Sequence, residues 1–287
     1  MNDGERPLAL SLASLGGERS IAERVESAYA LGFGIFETTA LDDADARSAG
    51  RALALGRGRV AVVSMPEAPI RPLNSPAPPR RELGRALEQA VAAAAILRSG
   101  RVVVRLGEIE SADPALRMRA ERALSGDKGA VDAAFLTALQ GLDRGRVGAL
   151  EIWAKRLHGL VRAHPGLKFD VLLEASPLGL LTADLFDAWN GEITSLGVGL
   201  FYDTAAAHLR ALLGVEPAGV WTGRFARTIR GAYVSDCLEF TTGLLPGSGS
   251  VDFAGLRFAL GREAIRVLKV HGPLHRLALD RARECLG

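Results

Sequence analysis

The sequence has little of two features that nucleic-acid-binding proteins need. Aromatic residues make up 6% of its 287 residues, and its formal net charge is only +2. A base-stacking surface requires more aromatic side chains, and a phosphate-binding face requires a larger excess of basic ones. We therefore expect no nucleic-acid partner.

Cysteine and long apolar runs are also scarce. The two cysteines, Cys237 and Cys285, lie far apart and lack the spacing of metal ligands, so a reduced cytosolic protein explains them most simply. The N-terminus has no basic segment of the signal-peptide kind, and the apolar run Ala90–Leu97 is too short to cross a bilayer. These absences predict a cytoplasmic protein with no membrane partner.

Proline and glycine are unevenly placed. Prolines are concentrated between Pro66 and Pro79, which predicts an irregular loop at residues 66–80 because proline removes amide donors and blocks helix. No predicted strand is followed by the glycine pattern of a dinucleotide- or phosphate-binding loop. The segment Gly247–Ser250 (GSGS) has the glycines without the rest of that pattern.

The sequence does contain short apolar runs that alternate with segments of helical periodicity, a pattern typical of parallel βα units. Eight runs predict strands, at Leu8–Leu12, Gly34–Thr38, Arg59–Ser64, Arg101–Leu106, Phe169–Glu174, Val198–Asp203, Ile229–Asp236 and Ile265–His271. A (β/α)₈ barrel needs about 250 residues, so one barrel domain would occupy residues 1–287. We predict an α/β protein with a (β/α)₈ TIM barrel. An open doubly wound sheet is the alternative, because periodicity does not show closure.

The predicted crossover between the fourth and fifth strands is unusually long. It extends from Glu108 to Pro165, and glycines near Ser125-Gly126 and in Gly141–Gly145 predict breaks between two or three helices. We therefore expect a helical insertion at about residues 108–147.

Several segments follow one another in an order that is itself informative. They are Leu31–Glu37 (LGFGIFE), Val171–Glu174 (VLLE), Val198–Thr204 (VGLFYDT), Tyr233–Asp236 (YVSD) and Leu245–Phe253 (LPGSGSVDF). Together they cover most of the chain and resemble the motifs of the xylose isomerase-like superfamily, which includes sugar phosphate isomerases and epimerases. The resemblance implies a (β/α)₈ barrel whose site lies at the C-terminal ends of the strands.

The resemblance also implies a metal site, and the sequence departs from it. The family holds a divalent metal with a glutamate, an aspartate, a histidine and a glutamate on strands five to eight. The first two positions are Glu174 and Asp203, but the histidine position carries Tyr233 and the last glutamate position carries Lys269. A protonated lysine has no lone pair and repels a divalent cation. We therefore predict no tightly bound cofactor; any metal, whether Mg²⁺, Mn²⁺ or Zn²⁺, would bind weakly through Glu174 and Asp203.

Some relatives place further histidines around the site. The corresponding positions here carry Ser64, Arg105 and Ala206. His208 lies two residues beyond the last of these positions and would need a shift of its helix to compensate. By contrast, Asp236 is expected to orient the glycine-rich loop that follows it.

The carried-over positions give a set of candidate site residues. We expect Glu174 to act as a base, Asp203 as a second acid–base group, and Lys269 with Arg105 as stabilisers of an enediolate-like anion. The substrate-binding candidates are Arg105, Tyr233, Glu37 and His271. A purely structural interpretation instead pairs Glu174 and Asp203 with Arg105 and Lys269 in a buried, charge-balanced network.

Two functions stay open at this point. The first is an isomerase, epimerase or dehydratase (a lyase) for a small polyhydroxylated or anionic substrate such as a sugar, a cyclitol or a sugar acid. The second is a catalytically silent barrel that binds a ligand or a protein partner, which the lost metal-ligand residues favour. The fold alone does not separate them, and homo-oligomerisation also stays open.

Overall fold

Eight parallel strands close into a barrel in the computed structural model, which describes residues 8–16, 19–66, 80–109 and 113–287. The strands of the barrel are β1 (Leu8–Ser11), β2 (Ile35–Thr39), β3 (Arg59–Ser64), β4 (Arg101–Val104), β5 (Lys168–Leu172), β6 (Gly199–Asp203), β7 (Ile229–Val234) and β10 (Ile265–Leu268). Between β7 and β10, the strands β8 (Asp236–Leu238) and β9 (Thr241–Leu244) form a separate antiparallel hairpin. The barrel order is β1-β10-β7-β6-β5-β4-β3-β2, and β2 pairs again with β1. The predicted (β/α)₈ barrel is confirmed, and the open sheet is excluded.

Helices surround the barrel. They are α1 (Ile21–Ala30), α2 (Asp43–Gly56), α3 (Arg80–Ile96), α4 (Pro114–Leu124), α5 (Ala133–Gln140), α6 (Asp143–Ala163), α7 (Ala183–Ser195), α8 (Thr204–Leu212), α9 (Val220–Arg224), α10 (Phe253–Ala259) and α11 (Arg276–Leu286). Side-chain caps fix several starts, including a reciprocal capping box between Ser20 and Glu23 at α1. In the described part of the chain, the helices lack the combined length and apolar character that a membrane span requires.

The long crossover contains α4, α5 and α6, as its glycines predicted. The first break falls at Ser125, directly after α4, and the second falls at Gly141 and Leu142. Gly145, in contrast, lies inside α6. Residues 67–79 of the predicted proline-rich loop and Glu110 lie outside the described residues.

The last barrel strand is shorter than the sequence predicts, because backbone donors leave the ladder after Lys269, whose N–H still donates to the Val234 carbonyl at 3.3 Å. The Val270 N–H donates to Ser14 Oγ at 2.9 Å, and the His271 N–H donates to the Gly243 carbonyl at 2.7 Å. The predicted strand Ile265–His271 is therefore wrong beyond Leu268. Lys269 and His271 lie on the loop that follows the strand.

Alternation along the strands builds the barrel interior in layers. One apolar layer consists of Ala9, Val62, Val103, Leu172, Phe201, Tyr233 and Val267. Each residue of this apolar layer is followed, two positions later in the chain, by a polar residue. We call these seven residues, together with Glu37 on β2, the polar layer: Ser11, Glu37, Ser64, Arg105, Glu174, Asp203, Ser235 and Lys269. The apolar layer fills the barrel, and the polar layer lies above it at the C-terminal strand ends.

Candidate active site

A cavity of about 350 Å³ opens beside the polar layer. Five of the predicted site residues line it, namely Arg105, Glu174, Asp203, Lys269 and His271. Its volume is at the lower end of the range of small-molecule sites, about 300–1,000 Å³. The structure thus brings these five residues together around a space for a small ligand.

Glu174 is held in a fixed orientation on the loop after β5. Its Oε1 accepts a hydrogen bond from Arg105 Nη1 at 3.1 Å, and its Oε2 accepts one from the Gly107 N–H at 3.2 Å. The side chains of this ion pair are 13% exposed for Arg105 and 21% exposed for Glu174. The carboxylate therefore reaches the cavity with its charge partly balanced, as the structural interpretation of the sequence expected.

Asp203 ends β6 and also begins α8. Its Oδ1 accepts a hydrogen bond from the Ala206 N–H at 3.0 Å, which makes Asp203 the N-cap of the helix. Because it also lines the cavity, one carboxylate combines a structural role with a place at the candidate site.

Lys269 lies over Tyr233 at the floor of the cavity. Its ammonium is 4.8 Å from the centroid of the Tyr233 ring, a distance typical of a cation–π contact. The ion pair that we predicted between Lys269 and Glu174 or Asp203 stays a prediction. The lysine is half-buried and lines the cavity with both carboxylates.

Tyr233 and Glu37 lie beneath the cavity, where both are about 1% exposed. The Tyr233 hydroxyl donates to Glu37 Oε1 at 3.0 Å, and Ser64 Oγ donates to the same oxygen at 2.6 Å. Burial, reinforced by the charge of Glu37, raises the pKa of Tyr233 well above its ordinary value. Tyr233 therefore keeps its proton, and neither residue contributes to the cavity lining as the structure stands.

Two buried oxygen atoms of the polar layer lack hydrogen-bond partners among the described residues. They are Glu37 Oε2 and Ser11 Oγ. Ser11 and Glu37 pair directly between β1 and β2, so the two atoms belong to adjacent residues of the barrel. An ordered water is the usual partner of such buried polar groups.

The two histidines near the site take different positions. His271 is exposed at the cavity rim, and its ring lies against Gly243, where a Cβ would come within 2.0 Å of His271 Cδ2. His208 lines a separate cavity of about 370 Å³ outside the barrel, together with Tyr202 and Trp221. His208 therefore does not line the candidate site.

Asp236 organises the segment that borders the cavity. It is 1% exposed, and its carboxylate accepts hydrogen bonds of 2.8–3.0 Å from four backbone N–H groups, those of Cys237, Gly247, Gly249 and Val251. The predicted role of Asp236 in orienting the glycine-rich loop is confirmed. The hairpin β8–β9 was not predicted, although the adjacent β-branched Thr241 and Thr242 were a signal for it.

Sequence reasoning also missed two buried arginines that hold the loop after β5. Arg210 is fully buried, pairs with Glu216 at 2.8 Å and donates to the carbonyl oxygens of Glu174, Ser176 and Leu181. Arg146 donates to the carbonyl oxygens of Pro177 and Gly179. For Arg210, the signal in the sequence was an arginine within the largely apolar segment of α8.

The donor set at the cavity does not fit a divalent metal. Glu174 is bound by Arg105 and Gly107, Asp203 caps α8, and a lysine ammonium shares the cavity with both. Within residues 8–16, 19–66, 80–109 and 113–287, no three histidine, cysteine, aspartate or glutamate side chains are grouped to hold a metal ion. Hard divalent cations need several oxygen ligands, and a neighbouring cation opposes them.

Comparison with known proteins finds similarity in the fold. No protein-family model matches the sequence, and no curated protein matches it. A D-psicose 3-epimerase from Clostridium cellulolyticum H10, solved with D-tagatose, has a TM-score of 0.62 at 13% identity, covering 98% of this chain and 99% of that chain. A probable 3-DHS dehydratase from Bacillus anthracis has a TM-score of 0.61 at 12% identity, covering 98% and 97%. A xylose isomerase domain protein from Alicyclobacillus acidocaldarius has a TM-score of 0.57 at 15% identity, covering 99% and 98%. The chain therefore shares the fold of these solved structures, in agreement with the (β/α)₈ barrel that its motifs predicted.

Proposed function

We propose that this protein is an acid–base enzyme, an isomerase, epimerase or lyase, that acts on a small polyhydroxylated substrate without a tightly bound metal. The observation that carries the proposal is the convergence of Arg105, Glu174, Asp203 and Lys269, from four different strand ends, on one small cavity. Active sites of (β/α)₈ barrels lie at this end of the strands. Fold neighbours that are a sugar epimerase and a probable dehydratase support the reaction class by analogy.

The charged residues supply complementary parts of a proton-transfer reaction. Glu174 removes a proton from a carbon next to a carbonyl, the electron pair of that C–H bond forms a carbon–carbon double bond, and the π pair of the carbonyl moves onto its oxygen. Lys269 and Arg105 stabilise the resulting enediolate by their positive charge. Glu174 then returns the proton to the neighbouring carbon, which gives isomerisation while Asp203 exchanges protons with the substrate hydroxyls. For epimerisation, a protonated Asp203 delivers a proton to the opposite face of the same carbon.

Deuterium exchange tests this proposal. The protein is incubated in D₂O with ketohexoses, aldoses, inososes and sugar acids, with and without EDTA, and NMR and mass spectrometry follow deuterium entry at carbon. We expect exchange into one substrate class that EDTA does not reduce. Glu174→Gln should lower the rate by about a hundredfold or more, the usual contribution of a general base. The matched change Glu192→Gln, on the exposed surface of α7, should have no effect.

A ligand-binding barrel without catalysis is the second candidate. It is favoured because both carboxylates already have structural partners, Arg105 and Gly107 for Glu174 and the start of α8 for Asp203. Saturable binding of a sugar by calorimetry, with no deuterium exchange into that sugar, would support it. Deuterium exchange that depends on added metal would contradict both the metal-independent enzyme and the barrel without catalysis.

A further inference from the structure

Tyr233 contacts both Lys269 and Glu37 but does not line the cavity itself. It occupies the apolar layer, where its ring packs edge-on against Phe201 with 4.8 Å between centroids. In the strand register, Tyr233 pairs with Val267 of β10. Because side chains alternate, Lys269 is the next residue of that chain to point over the Tyr233 ring. The geometry of the barrel therefore places the ammonium above a fixed aromatic face.

The ring itself is anchored through its hydroxyl group. Its hydroxyl donates to Glu37, which Ser64 also binds, and all three groups are buried. A phenol that keeps its proton presents a neutral ring, whose negative face attracts a cation. Lysine has a long flexible side chain, so a fixed aromatic contact restricts the positions that its ammonium can take.

We infer that Tyr233 is a positioning residue that holds the Lys269 ammonium at the cavity floor through its ring and does not itself bind the ligand. The Glu37–Ser64 pair in turn fixes the ring. The part of this inference that concerns the ligand rests on the proposed function, whereas the placement of the lysine does not.

Lysine NMR tests the placement directly, because the chain contains only four lysines, Lys128, Lys155, Lys168 and Lys269. In protein with ¹³C-labelled lysine, the ring current of Tyr233 should move the Lys269 ε-methylene signal upfield of the signals of exposed Lys155 and Lys168. Lys128, at 6.0 Å from the Phe240 ring, provides an internal comparison with a looser contact. Lys269→Arg assigns the signal by removing it.

Three substitutions separate the ring from the hydroxyl and from general packing. Tyr233→Phe keeps the ring and should keep the upfield signal. Tyr233→Leu removes the ring and should return the signal to the position of an exposed lysine. Phe201→Leu removes a ring from the same apolar layer and should leave the Lys269 signal upfield, which controls for loosened packing.

The outcomes distinguish this inference from the proposed function. An upfield signal that Tyr233→Leu abolishes and Tyr233→Phe retains supports the inference, even if no sugar undergoes exchange. A Lys269 signal at the exposed position in the wild-type protein, or one that Phe201→Leu also abolishes, would overturn it. Where exchange is observed, Tyr233→Leu should lower kcat about tenfold more than Tyr233→Phe while KM changes little, and equal kcat values would contradict a positioning role.

Discussion

Two positions near the cavity carry residue types other than those that the family resemblance implies. Tyr233 and Lys269 stand where the family resemblance implies a histidine and a glutamate. A phenol that stays protonated and an ammonium are poor metal ligands, yet the two fit each other as ring and cation. At these two positions the protein therefore has a lysine ammonium over a tyrosine ring.

Two serines of the polar layer provide a matched pair. Ser64 Oγ donates to buried Glu37, whereas the equally buried Ser11 Oγ has no partner among the described residues. We expect Ser64→Ala to lower the free energy of unfolding by about 1–3 kcal/mol, because a hydrogen bond to a charged group is lost. Ser11→Ala should change it by less than about 0.5 kcal/mol. Urea denaturation measures both, and an equal loss in the two variants would show that Ser11 binds an ordered water.

The two cysteines should differ in reactivity. Cys237 is fully buried, and burial with the charges of Asp236 and Asp203 raises the pKa of its thiol to about 11. At pH 8 only about one in a thousand such thiols is a thiolate, the reactive form. We expect iodoacetamide to modify only the half-buried Cys285 in the native protein and both cysteines in denaturant, as judged by mass spectrometry. Rapid native labelling of Cys237 would contradict the buried position.

The raised pKa of Cys237 should also make the stability of the protein depend on pH. Because the folded protein holds this proton more tightly than the unfolded chain, the stabilisation is fully present below the ordinary thiol pKa and decreases as the pH rises toward about 11. Replacing Cys237 by alanine should remove this part of the pH dependence in alkaline denaturation experiments.

At the level of secondary-structure elements, buried polar groups shape the loops that surround the cavity. Arg210 and Arg146 bind carbonyl oxygens of the loop after β5, including that of Glu174. Asp236 binds four N–H groups at the base of the hairpin β8–β9. Each side chain satisfies backbone groups that irregular segments leave without ladder partners. The loops that line the site are thus held by side chains from outside it.

Removal of the Asp236 carboxylate should be costly. Asp236→Ala removes a buried carboxylate that accepts hydrogen bonds from four backbone N–H groups, so we expect the free energy of unfolding to fall by about 3 kcal/mol or more. Asp252 caps α10 at an exposed position, and Asp252→Ala should cost only about 1 kcal/mol. Chemical denaturation compares the two, and similar losses would show that the Asp236 hydrogen bonds contribute little.

For the molecule as a whole, we expect the charged side chains around the cavity to determine which ions bind there. A lysine shares the cavity with two carboxylates, one of which is already paired with an arginine. At an effective dielectric constant near 20, repulsion between unit charges at 4 Å is about 4 kcal/mol, or roughly a thousandfold in affinity. We therefore expect such a site to bind divalent cations weakly.

Metal analysis tests this reasoning. We expect the wild-type protein, purified without chelator, to contain no stoichiometric divalent metal. Tyr233→His combined with Lys269→Glu should create measurable binding of Mn²⁺ or Zn²⁺ by calorimetry, because the pair supplies two ligands and removes the cation. Lys128→Glu is the control for added negative charge, because Lys128 is exposed and does not line the cavity. One bound metal per wild-type chain, held by Glu174 and Asp203, would refute the prediction.

The sequence by itself determined the strands and the faces of their residues. Apolar alternation is local, so it located eight strands and placed Glu174, Asp203 and Lys269 at strand ends that meet at one side of a parallel barrel. The glycine-rich segment follows Asp236 closely along the chain, which is why the role of Asp236 was predictable.

Only the tertiary structure decided which of these residues contact one another. Tyr233 and Glu37 are 196 residues apart and meet because β1 and β2 close the barrel against β10 and β7. Packing between other segments pairs Glu174 with Arg105 across β4 and β5, places His208 at a separate cavity and buries Arg210 against the loop after β5. Periodicity fixes the face on which a side chain lies, but its partners depend on packing between distant segments, which no local pattern encodes.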